Sequence, residues 1–103
     1  MAHKRPKPQH LPEKLRAIRN NAGLSQYRLS KLLQVGRTRL SEWEWGRRMP
    51  DWMVLIRYAK FAGIPLEFIV DDEIDLEYFE KYLTVVNQRR GELTLPVTLF
   101  WPK

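Results

Sequence analysis

The chain has 103 residues, 44% of them hydrophobic and four each of Trp, Tyr and Phe, which suffices for one small domain with a core of its own plus appendages. It contains no cysteine, which excludes a disulfide framework and a thiolate metal site, and no apolar run nears the roughly 18 to 20 residues of a membrane span. Its net charge of +6 is uneven: residues 1–50 hold 12 Lys/Arg against three Glu, whereas 51–103 hold six against nine acids, so one half is offered to a polyanion such as nucleic acid.

His3 to Pro12 holds three prolines, and the opening AHKRPKPQH has no apolar segment of the kind a signal peptide needs, so residues 1–11 are expected to be a flexible basic arm of a soluble, cytoplasmic protein. Leu11, Leu15 and Ile18 then recur at helical spacing, predicting a first helix from about Pro12 to Ala22, closed by Gly23. Ser25 stands where a helix cap belongs, and Leu29, Leu32 and Leu33 form the inward stripe of a second helix. Gln34 to Gly36 is a tight turn.

The next stretch, RTRLSEWEW over residues 37–45, is a third helix with two unlike sides. At 100° per residue, Leu40, Trp43 and Glu44 gather on one side, and Thr38, Ser41, Glu42 and Trp45 on the other, flanked by Arg37 and Arg39. Gly46 ends it, and Asp51 caps a fourth helix whose buried positions are expected to be Trp52, Leu55, Ile56, Ala59 and Ala62, stopped by Gly63. After Pro65, the residues Leu66, Phe68, Ile69 and Val70 make a short fifth helix.

Beyond the acidic DDEID, Leu76, Phe79, Leu83 and Val86 keep a helical spacing that Gly91 can cap, with a strand over Tyr82 to Val86 as the less favoured reading. ELTLPVTLFW alternates strictly, placing Leu93, Leu95, Val97, Leu99 and Trp101 on one face of an edge strand that Pro96 keeps from the middle of a sheet. The fold class expected is therefore all-α: a compact five-helix domain over 12–75, then a C-terminal helix and terminal β-strand as a dimerisation or partner-binding extension over 76–103.

Two helices joined by a tight turn, the second with a polar first turn, form a helix-turn-helix, in which the second helix enters the major groove and the first crosses the backbone. The spacing from Gln26 through Ser30 to Leu40, the block W-x-x-G-R-R-x-P, and the segments GLSQYRLSKLL and LIRYAKFAGIPLEFIV resemble the Cro/phage-repressor-like, or XRE-type, family. The resemblance covers about Pro12 to Asp75. It implies a phosphate contact and brace for Gln26, with Ser25 beside it, base edges for Arg37, Thr38 and Glu42, and Arg39 and Ser41 on the same face. Arg47 and Arg48 fall in the loop that approaches the backbone, and Arg19 and Glu44 on a buried ion pair linking the first helix to the third. The family's turn glycine is Gln34 here, its usual N-cap Ser/Thr is Gly36, and Trp45 replaces a polar residue.

The function expected is that of a sequence-specific, double-stranded-DNA-binding transcription regulator, a repressor that reads a palindromic site as a homodimer joined through 76–103. The alternative is an antitoxin-like autoregulator whose tail binds a second protein. An enzyme is not expected, because both histidines, His3 and His10, lie in the arm and no carboxylate pair is fixed in a cleft. No catalytic residue, metal ligand or cofactor is assigned.

Overall fold

Helix α1 (Leu11–Asn21) begins where Pro12 fits a first turn that needs no amide donor and where Glu13 meets the positive end of the helix dipole. The computed structural model describes residues 8–93, and within them the chain is all-α. Leu11, Leu15 and Ile18 are buried, and so is Lys14, which lies on the same stripe. The Lys14 ammonium donates to the carbonyls of Phe68 and Asp71, each at 2.8 Å, and sits 5.4 Å from the centre of the Phe79 ring. Burial lowers its pKa from the ordinary lysine value, and the carboxylates of Asp72, Asp71 and Asp75 oppose that shift.

Helix α2 (Gln26–Leu33) is capped by Ser25, whose Oγ accepts from the Arg28 amide at 3.1 Å. Leu29 and Leu33 enter the core, whereas Leu32, expected with them, is 37% exposed. Ser30 is buried on the stripe in its stead, its hydroxyl donating to the Tyr27 carbonyl at 2.7 Å. The helix ends at Gln34 in the left-handed region, φ 59°, and Gly36 leads into α3 (Arg37–Glu44). Trp45 is the C-cap of α3, one residue earlier than the sequence suggests. Gly46 follows at φ 74°, and a Cβ there would stand 3.3 Å from Cγ of Pro12, so both the turn and the approach of α1 favour glycine.

In α4 (Trp52–Ala62) the Asp51 carboxylate accepts from the Val54 amide at 3.0 Å. The buried face holds Val54, Leu55, Tyr58, Ala59, Phe61 and Ala62, while Trp52 is 64% exposed and Ile56 only half-buried. The inward arc is thus turned roughly 80° from the expected one, at 100° per residue, with Tyr58 and Phe61 inward in place of Trp52 and Ile56. The short α5 (Leu66–Val70) adds Ile69 to the core.

Helix α6 (Leu76–Leu93) folds back along α1 and closes the core with Phe79 and Leu83, and Tyr82 and Val86 pack at its edge. The Phe68 and Tyr82 rings lie 4.5 Å apart between centres. The stripe assigned by sequence to a second chain is thereby used within this one. The helix also runs through Gly91, where a cap was expected, because a single glycine costs a helix only about 1 kcal/mol. Glu92 and Leu93, expected to open the terminal strand, are its last residues, and the rest of that strand, including Leu95, Val97, Leu99 and Trp101, lies outside the described residues.

Of the arm, Lys4, Arg5 and Lys7 also lie outside the described residues. Its inner end is tied to the loop before α6: the amides of Gln9 and His10 donate to the Asp72 carboxylate at 2.9 and 3.2 Å. The Gln9 amide holds Asp72 below its usual pKa against the opposing effect of desolvation, with lesser help from the His10 amide and the charges of His10 and Lys14. Among the described residues no helix is long and apolar enough to cross a membrane.

Candidate nucleic-acid interface

The α2–turn–α3 unit is tied to the rest of the fold by polar contacts at its joints. Glu44 is the centre of these ties and has no exposed surface. Arg19 reaches it twice, Nε to Oε2 at 2.8 Å and Nη2 to Oε1 at 3.0 Å, a bidentate charge-assisted pair from α1 to α3. The remaining Nη1 of Arg19 donates to the Leu24 carbonyl at 3.0 Å, just before α2. Gln26 donates from its side-chain amide to Oε1 of Glu44 at 3.2 Å, which braces the start of α2 against α3. Arg57 of α4 donates to the Leu33 carbonyl at 2.9 Å, and Arg16 donates to the main-chain carbonyl of Glu44 itself.

Tyr58 lies beneath this group, fully buried, its hydroxyl without a hydrogen-bond partner. Burial raises its pKa, the Glu44 carboxylate adds to the rise, and Arg19 opposes it.

The outer face of α3 carries the side chains singled out by sequence. Arg37, Thr38 and Arg39 are exposed in and just after the first turn, Ser41 and Glu42 are half-buried one turn on, and Arg47 and Arg48 are exposed in the loop. That loop is drawn back against the helix, since the Arg47 and Arg48 amides donate to the Glu42 carbonyl at 2.9 and 3.4 Å. The Glu42 carboxylate lies 3.6 Å from the Arg48 guanidinium, which the returning loop brings close. Trp45 is 62% exposed, with the Arg16 guanidinium over its ring, 5.0 Å from the centre.

A family model described as a helix-turn-helix domain matches residues 13–82, more than half of the chain. The chain belongs to the XRE-type helix-turn-helix family. Among curated proteins it is similar to the HTH-type transcriptional activator BcrR of Enterococcus faecalis, with 33% identity over 61 residues. Those residues are 59% of this chain and 30% of the relative, so the likeness concerns a minor part of that protein. No solved structure is significantly similar to the chain. The family match crosses Asp75 into α6, in keeping with the place of Phe79 in the core.

Sequence reasoning missed Lys14, Arg16, Arg57 and Tyr58. Lys14 was detectable, since it stands three residues after Leu11 and four before Ile18 on the buried stripe. The two arginines end on main-chain carbonyls, which leave no signature in sequence.

Proposed function

We propose that the protein is a sequence-specific DNA-binding transcription regulator that lays α3 in the major groove. The observation that carries this reading is the division of α3 into an anchored side and an open one. Glu44, Trp43 and Leu40 fix it to α1 and the core, while Arg37, Thr38 and Arg39 stand free of the fold in its first turn. Arg37 is suited to bidentate hydrogen bonds with guanine O6 and N7, and Thr38 to a thymine methyl or a phosphate. Arg39 and Ser41 extend the polar face, and Glu42, paired with Arg48, can accept from a cytosine amino group when that arginine turns to the backbone. Arg47, Arg48 and the Ser25 hydroxyl serve phosphates, and Gln26 reaches a phosphate with whatever donor capacity Glu44 leaves it.

Occupancy of a promoter represses it with no further surface, and repression is the primary reading. The similarity to a protein named as an activator supports the other sign, which would require in addition a contact to the transcription machinery. Selection of bound duplex from a random pool tests the DNA reading: a recurrent palindromic sequence is expected, and recovery of unrelated sequences alone overturns it. A reporter placed behind the selected site then gives the sign of regulation.

A further inference from the structure

Three arginines terminate on carbonyls at the joints of the helix-turn-helix unit: Arg19 at Leu24, Arg57 at Leu33 and Arg16 at Glu44. Arg16 also touches the outer face of α3, through the ring of Trp45. A guanidinium can do both at once because its donors lie in its plane and its flat face is left for the indole. Its charge also stands at the carbonyl end of α3, where a cation is favoured by the helix dipole.

We propose that Arg16 is a positioning residue of the recognition surface, holding the C-terminal end of α3 and the ring of Trp45 so that the Arg47–Arg48 loop leaves the helix along one path. This rests on the DNA-binding reading above. Helix α3 has eight residues, too few to be stable alone. Its middle is held by Leu40 and Trp43 and its last residue by the Glu44 side chain, but the chain beyond turns through Gly46, and the hydrogen bonds that shape this exit are those of the Trp45, Gly46 and Arg47 amides to Ser41, Trp43 and Glu42. Arg16 grips the carbonyl at the centre of that turn. Trp45 shares the face of Thr38, Ser41 and Glu42, so the Arg16 contact also fixes the ring nearest the groove-facing side chains.

The test compares Arg16→Ala, Arg16→Lys and Trp45→Phe by two readouts. The first is hydrogen exchange at the Trp45, Gly46 and Arg47 amides in the free protein. The second is the ratio of affinities for the selected duplex and a scrambled one, measured across salt. Both Arg16 variants should speed exchange at those amides and lower the ratio about tenfold with an unchanged salt slope, while Trp45→Phe, which keeps a ring under the guanidinium, should leave exchange at those amides near wild type. Lysine restoring both readouts would reduce the role of Arg16 to its charge and overturn the proposal. So would unchanged exchange in Arg16→Ala, or a salt slope lower by about 0.9, the mark of a phosphate contact. Failure of the wild type to discriminate between duplexes would instead remove the DNA reading, and the exchange data would still decide whether Arg16 holds the exit of α3.

Discussion

Glu44 receives Arg19 on both oxygens and Gln26 on one, and water reaches none of its surface. Truncation to Ala leaves the Arg19 guanidinium, itself mostly covered, without its counter-charge, and removal of one partner of such a pair costs about 3 to 5 kcal/mol. Denaturant unfolding of Glu44→Ala should show a loss of that order. A change under about 1 kcal/mol would mean that water or another acceptor replaces the carboxylate. Asp72 is a milder case, bonded to two amides at the surface. Its pKa is lowered from 3.8 on folding, so the unfolded chain takes up its proton first and the contribution of Asp72 to stability is complete above that value. The stability difference between wild type and Asp72→Ala should therefore be fully present at about pH 5 and shrink as the pH falls below 3.8 toward the folded-state value. A difference that widens on acidification would contradict the bonding described.

At the scale of the element, the first turn of α3 and the loop after it are expected to do different work on DNA. Arg37→Ala should cost about 1 to 3 kcal/mol on the preferred site and relax base choice at one position per half-site. Arg47→Ala and Arg48→Ala should weaken binding to all sequences alike and flatten the salt dependence by about 0.9 per lost phosphate contact. Titrations of selected and scrambled duplexes at several salt concentrations separate these outcomes, and the reverse pattern would exchange the two roles. The positions of both groups, at the start of α3 and in the loop after it, were legible in sequence because the elements that carry them are bounded by local chemistry. Ser25 and Asp51 cap through their own oxygens, and Gly46 and Gly63 adopt the left-handed turns that glycine permits. Gln34 stands where the family resemblance puts a turn glycine, and it takes the left-handed conformation of one, φ 59°. What local chemistry does not encode is which apolar face wins. Trp52 and Tyr58 are alike to a periodicity count, and only the shape of the space left by α1, α2 and α5 decides that Tyr58 goes in. Likewise the spacing of Phe79 and Leu83 announces a helix without saying that α1 is its partner.

For the whole molecule, the docking of α6 on α1 changes where a two-fold axis can be. A single α3 reads only a few base pairs, and two recognition helices about 34 Å apart on a symmetric site would supply affinity and specificity together, so a homodimer is still expected. The stripe of Phe79 and Leu83 is no longer available to it. Within 76–103 there remain the outer side of α6, where Tyr78 and Val85 are exposed seven residues apart, and the alternating apolar residues Leu95, Val97, Leu99 and Trp101. Deleting everything after Asp75 is therefore an unsuitable test, because it opens the core under α1. A chain ending at residue 93 keeps α6 and removes only the last ten residues. Light scattering at micromolar concentration should find the full chain dimeric and the shortened chain monomeric, with circular dichroism showing the same helical fold. If the shortened chain stays dimeric, Tyr78→Glu with Val85→Glu should dissociate it and assign the axis to the outer face of α6. A dimer that survives both changes would move the interface to the exposed Met49, Trp52 and Met53 at the start of α4, and a monomeric full chain would remove the symmetric-site reading altogether.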